Sequence, residues 1–216
     1  MLPVTTLALD AVARSLRAAP PRAGRTRVLA IDGRGGSGKS TLAGRLAALL
    51  DAPVLHMDDL YPGWDGLAAA APLLRQWVLE PLARGEPGRH PRYDWERDAY
   101  AEWTEVPASD VLVVEGCACG SQVVAPYLSL LLWVDAPLSV RLDRGIERDG
   151  EDFRPHWERW ARQEDALFAA ENTRARADYR IDGAPSLPYD PEHEVVLSRS
   201  HSQSTAAAAA PPDRRA

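Results

Sequence analysis

Short apolar runs alternate with helix-forming stretches along most of this chain. "RVLAID" at 27–32, "DVLVVEG" at 110–116 and "LSLLLWVDAP" at 128–137 are continuously apolar rather than alternating, with turn residues beyond them. Such runs suit central strands of a parallel sheet covered on both faces. "APVLHMDD" at 52–59 predicts a further short strand ending in acids, and "DYRID" at 178–182 a last one. Between them, "STLAGRLAALL" at 40–50, "LSVRLDRGIERDG" at 138–150 and "RPHWERWARQEDALFAAENTRAR" at 154–176 are rich in helix formers. "GLAAAAPLLRQWVLEPLARG" at 66–85 reads as a helix interrupted at proline, and Leu7, Val12 and Leu16 with Arg14 and Arg17 as an amphipathic helix over about 5–19. Alternating strands and helices predict an α/β fold: a doubly wound, mainly parallel sheet with helices on both faces. One domain over 1–197 accounts for this pattern. From 198 to 216 the chain turns polar and low in complexity, as a disordered tail would.

Composition narrows the class. The chain has 216 residues, a formal net charge of −6 and a pI near 5.4. That is the wrong sign for a general nucleic-acid or anionic-membrane binder, though it leaves room for a local basic pocket. Cys117 and Cys119, the two cysteines, are too few for a disulfide scaffold and too close to pair with each other. They read as free thiols in a loop. With no secretory signal pattern and no bilayer-length apolar run, the expectation is a cytoplasmic protein.

One residue stands out against this background. Lys and Arg total 25, and Lys39 is the sole lysine, so the other 24 are arginine. Lys39 sits in "GRGGSGKST" at 33–41, which fits G-x-x-x-x-G-K-[ST], the phosphate-binding P-loop. Gly33, Gly35, Gly36 and Gly38 allow turns in which successive N–H groups point at phosphate oxygens, with Arg34 and Ser37 carried between them. The helix starting near Lys39, with Ser40 and Thr41 in its first turn, adds its positive end to the same anion. Lysine offers a compact charge to the β/γ phosphates where arginine's planar fork has another shape. Ser40 offers a hydroxyl to Mg²⁺. With Lys39 committed, no N-K-x-D segment remains for guanine recognition.

Further chemistry sits at strand ends. Asp58 and Asp59 follow a strand, where a carboxylate can activate a hydroxyl nucleophile or approach a metal. Glu115 ends "VLVVEG" as a Walker-B-like acid. Arg141, Arg144 and Arg148 lie at helical spacing, with Arg144 and Arg148 on one face. There, on a small lid over about 144–156, they could neutralise a transferring phosphoryl group. Seven tryptophans include several that could either stack on a planar acceptor or simply pack, as Trp157 and Trp160 would at i and i+3.

Taken in order, "GRGGSGKST", "MDDLY", "YDWERD", "VVEG", "RLDRGIERD" and "RADYRIDG" resemble the uridine kinase/phosphoribulokinase family of P-loop kinases over 27–183. The resemblance implies a Mg-ATP-dependent kinase phosphorylating a hydroxyl, with a nucleoside such as uridine or cytidine as leading acceptor. Asp58 would be the catalytic base and approach Mg²⁺ together with Ser40 and Glu115. Tyr61 would line the acceptor pocket, Tyr93 would contact the base, and Arg148, with Arg144, would serve from the lid. The chain departs from nucleoside kinases in that region: Asp98 stands where they carry histidine, and Arg144 is followed by Gly145 instead of a second arginine. Asp65 is a candidate for a ribose hydroxyl, and "NTRARAD" at 172–178 for adenine. A kinase for a sugar or coenzyme precursor, and a P-loop ATPase acting as a binding switch, are the alternatives. ATP, a small-molecule acceptor and a second copy of the chain are the expected partners, with neither nucleic acid nor membrane among them.

Overall fold

A computed structural model describes residues 5–150 and 154–198. Residues 151–153 of the expected lid, and the expected tail from 199 onward, lie outside the described residues. Seven strands form one sheet in the order β1-β9-β8-β7-β2-β6-β3. They are β1 (Thr6–Ala8), β2 (Arg27–Gly33), β3 (Val54–His56), β6 (Val111–Glu115), β7 (Leu128–Asp135), β8 (Tyr179–Asp182) and β9 (Glu194–Leu197). The pairs from β8 through β7, β2 and β6 to β3 are all parallel, while β9 runs antiparallel to both β8 and β1. A separate hairpin joins β4 (Gly88–Asp94) to β5 (Ala99–Val106).

Why the central runs are continuously apolar is visible at β2. Leu29 and Ile31 pack with one layer, containing Leu9, Val12 and Leu16 of α1 (Leu9–Ala18) and Leu42 and Leu46 of α2 (Lys39–Leu50). Val28 and Ala30 face the other layer, with Leu67 and Leu74 of α3 (Leu67–Leu74) and Trp160 of α6 (Arg154–Glu171). Both faces are buried, so the middle of the strand, Val28 to Ile31, is apolar throughout. Burial of this kind contributes roughly 1.5–3 kcal/mol per large aliphatic side chain.

The expected helix over 66–85 passes through Pro72 without stopping, then widens into a π turn at Arg75–Leu79 before α4 (Glu80–Ala83). Proline removes one helical N–H, and a π turn is a common accommodation of such irregularity. The expected N-terminal helix is shorter than 5–19, because 6–8 pair with β9 instead. The predicted helix over 154–176 divides at Asn172, whose φ of 50° ends α6 before α7 (Thr173–Arg176). Ser198, placed in the tail by sequence, still donates its N–H to Arg180 O at 2.8 Å.

Asp32, near the end of β2, ties the sheet to the loop after β6. Its Oδ1 accepts from the N–H of Gly33 (2.7 Å) and Ala118 (3.1 Å), and its Oδ2 from Gly120 (2.9 Å). Cys117 and Cys119 lie on this loop but are buried, and burial pushes both thiols well above their usual range. They are packing residues, not exposed thiols.

Burial also raises the Asp32 carboxyl to about 7, against the opposing pull of the three N–H groups and of Lys39. A raised native pKa favours the protonated folded form. The associated stability is full below the ordinary range near 3.8 and is lost as pH rises through about 7. Its size is on the order of 4 kcal/mol. Urea denaturation from pH 4 to 8 should show this loss in the wild type, and Asp32→Asn, which cannot ionise, should lack that component of the slope.

Candidate active site

The phosphate loop connects β2 to α2 at the C-terminal edge of the parallel strands, where β6 and β7 flank β2 on either side. A crevice at this edge is the expected ligand position in a doubly wound sheet. At Gly36, φ is 73° and an added Cβ would lie 2.3 Å from Arg141 O, so the loop geometry requires glycine there. Gly38, also in the left-handed region, leads directly into the N-terminus of α2. Gly33 to Thr41 are therefore arranged as a strand–loop–helix, the context that the motif needs.

The loop opens on a cleft of about 900 Å³. Lys39, Ser40 and Thr41 line it from α2, and Glu115 from the end of β6. Asp58 enters from the turn after β3, and Arg144 and Arg148 from α5 (Leu138–Asp149). The opposite wall is aromatic: Tyr61, Trp64, Trp95, His156, Trp157 and Trp160. Tyr61 donates its hydroxyl to Cys117 O at 2.9 Å and meets Trp160 edge-on at 4.9 Å. Trp64 stacks on His156 at 4.4 Å and touches Trp95 at 5.0 Å.

Lys39 is buried, with Nζ donating to Arg34 O at 2.8 Å. Burial, the largest influence, pulls its pKa down, but the acidic neighbours Cys117, Glu115, Glu164 and Asp32 outweigh it and leave it raised. The ammonium is thus held charged. Ser40 donates its hydroxyl to Glu115 Oε1 at 3.0 Å, and His56 Nδ1 lies 2.7 Å from the same oxygen. Burial opposes ionisation of Glu115, but bonds and charges from His56, Lys39 and Ser40 hold its pKa below the usual carboxylate range. The Glu115 bond raises His56. Asp58 is raised, first by burial and then by the negative charge of Glu115, with Arg148, Lys39 and His56 pulling the other way.

Glu115, Asp58 and the Ser40 hydroxyl present oxygen donors to one space, the chemistry that a hard divalent cation prefers. Among the described residues no group of three or more His, Cys, Asp or Glu could hold a metal alone. The donor set therefore fits Mg²⁺ brought with phosphate oxygens rather than a protein cage.

Several sequence expectations are relocated. Arg144 is anchored to Gly36 O at 3.3 Å and Gly183 O at 3.0 Å, so it braces the phosphate loop. Arg141 is buried against Ala136 O and Gly35 O and is not a cleft group. Tyr93 and Asp98 bond each other at 2.5 Å and do not line the cleft; Tyr93 instead meets Trp95 edge-on at 5.2 Å. Asp65 is paired with Arg159. The segment 172–178 packs on the loop after β6, with Arg176 donating to Gly120 O at 2.6 Å. A second groove of about 260 Å³ beside the phosphate loop is lined by Gly38, Thr41, Arg45, Arg144, Gly183 and Tyr189. Sequence reasoning missed His56 and Glu164, both hydrogen-bonded to groups of the phosphate site.

Residues 68–156 match the model of the phosphoribulokinase/uridine kinase family. The matched stretch runs from α3 to the start of α6 and agrees with the order of the motifs along the chain. Two solved structures share the fold. A candidate uridine kinase from Bacillus stearothermophilus is 23% identical with a TM-score of 0.57, over 80% of this chain and 96% of its own. A candidate fructose transport system kinase from Silicibacter sp. TM1040 is also 23% identical, with a TM-score of 0.51 over 79% and 95%. No curated protein sequence matches. Among the described residues no helix is long and apolar enough to cross a membrane.

Removing the Lys39 ammonium deletes a charge-assisted contact to phosphate, worth roughly 1.5–3 kcal/mol. Calorimetric titration should therefore show Lys39→Ala binding Mg-ATP about tenfold to a hundredfold more weakly than wild type, with an unchanged far-ultraviolet circular dichroism spectrum.

Proposed function

We propose that this protein transfers the γ-phosphoryl group of Mg-ATP to a hydroxyl of a small, planar-ringed, unphosphorylated acceptor, with uridine- and cytidine-like nucleosides the leading class. The observation that carries this reading is Asp58, a carboxylate of raised pKa placed in one cleft between the phosphate loop and an aromatic wall. Such a group can accept the proton of an attacking hydroxyl. Apart from His56, the cations that its ionisation feels, Arg148 and Lys39, line the cleft themselves.

Lys39 and the loop amides would hold the β/γ phosphates, and adenine would enter the groove beside Arg144 and Tyr189. Ser40, Glu115 and Asp58 would hold Mg²⁺, which supplies charge neutralisation when bound. Asp58 orients and deprotonates the acceptor hydroxyl, while Arg148 faces the transferring group. Tyr61, Trp64, Trp95 and Trp160 offer flat faces and edges for a ring. Among the described residues the cleft's Lys and Arg come from the phosphate loop and α5, and none lines the aromatic wall. That supports an acceptor without a phosphate of its own. Tyr93 and Asp98 act behind the wall, supporting Trp95. A sugar acceptor is the second reading, favoured by the same donor site.

The test is ADP formation from Mg-ATP with nucleosides, sugars, coenzyme-precursor alcohols or no acceptor. A nucleoside should stimulate turnover, and Asp58→Asn should lower kcat by about a hundredfold to ten-thousandfold, the usual range for a general base. Because the carboxylate form is active and its pKa is raised, kcat/KM should fall on acidification at a pH above the ordinary aspartate range, and Asp58→Asn should lack that limb. Stimulation by a sugar alone would move the acceptor to the second reading. Slow ADP formation indifferent to every acceptor would replace the kinase with a nucleotide-dependent switch.

A further inference from the structure

The buried face of α6 carries Trp157, Trp160, Glu164 and Phe168, at helical spacing. Three of the four are aromatic, and in their midst lies a carboxylate with 1% of its surface exposed. An ionised side chain in such a position costs several kcal/mol unless its bonds are well satisfied. Glu164 is well satisfied. Its Oε1 accepts from the N–H of Gly35 at 2.6 Å, the indole N–H of Trp160 at 3.1 Å and the thiol of Cys117 at 3.3 Å. Its Oε2 faces the guanidiniums of Arg34 and Arg141, each at 3.7 Å. Those two arginines also lean on α6 aromatics, Arg34 over Phe168 and Arg141 over Trp157.

One oxygen atom thus joins the phosphate loop, the loop after Glu115 and a residue of the aromatic wall. An added Cβ at Gly35 would lie 3.3 Å from Glu164 Oε1, a tight contact, and 3.9 Å from the Trp160 ring, an ordinary one. A negative charge beside an anion site opposes nucleotide binding unless it organises the groups that favour it. Here it fixes a loop amide and orients two guanidiniums next to the loop.

We infer that Glu164 is a positioning residue that couples occupancy of the phosphate loop to the orientation of Trp160 in the acceptor wall. The inference rests on the nucleotide-binding part of the proposed function and is independent of which acceptor is used. When phosphate settles in the loop, any shift at Gly35 is transmitted through Oε1 to the Trp160 indole N–H, because both donors share that atom.

The probe is the non-hydrolysable analogue AMP-PNP with Mg²⁺, followed by calorimetry and by tryptophan emission in wild type, Trp160→Phe and Glu164→Gln. The wild type should show an emission change on binding. Trp160→Phe should lose most of that change, which assigns it to Trp160. Glu164→Gln places an amide against two guanidiniums; it should bind about tenfold more weakly and lose the same emission component. Wild-type affinity with an undiminished emission change in Glu164→Gln overturns the coupling, as does an undiminished change in Trp160→Phe. Should Glu164→Gln fail to fold, Glu164→Asp, whose shorter side chain withdraws the shared oxygen, takes its place with the same two outcomes. Absence of AMP-PNP binding to wild type would instead remove the nucleotide reading on which the coupling stands.

Discussion

Everything in the cleft depends on keeping one buried ammonium charged among acids. Lys39 is the single lysine of the chain and is almost fully buried, yet Glu115, Glu164 and Asp32 surround it closely enough to raise its pKa. Each of those acids is itself occupied. Asp32 collects three backbone N–H groups, Glu115 holds Ser40 and His56, and Glu164 holds Gly35 and Trp160. Asp58 has no such set of donors; its pKa is raised, as that of Asp32 is, but Asp58 lines the open cleft while Asp32 is fully buried. The same low-polarity surroundings therefore hold the lysine charged and leave Asp58 as the raised carboxyl that faces the cleft.

The architecture serves that arrangement. A strand buried on both faces leads into the phosphate loop, and its two parallel neighbours deliver Glu115 and the start of α5 to the same edge. α6 closes the loop from the aromatic side. The phosphate loop and the aromatic wall consequently line one cleft, and a residue such as Glu164 can touch both.

How much of this could be read from sequence follows the physics of each element. The central strands were legible because burial on both faces leaves a continuous apolar run, and the phosphate loop because its glycines, lysine and serine are fixed by chemistry. β5 was not, since "AYAEWTEV" is exposed along most of its length and carries no clean alternation. β1 and β9, three and four residues long, are too short for a period to show. His56 and Glu164 were missed although a signal existed for the latter: a lone acid within the tryptophan stripe of α6. Tyr93 matched a motif by spacing and Asp98 departed from it, but the two bond each other and neither lines the cleft. Arg144 had the right spacing for a lid group, yet its bonds to Gly36 and Gly183 make it a brace.

The most direct test of the account is the fate of the γ-phosphoryl group, followed by ³¹P NMR during incubation of the wild-type protein with Mg-ATP and uridine. A growing phosphomonoester resonance matching the loss of the ATP γ signal is the predicted result. Appearance of inorganic phosphate alone, at a rate unaffected by uridine, cytidine or any sugar, would contradict it.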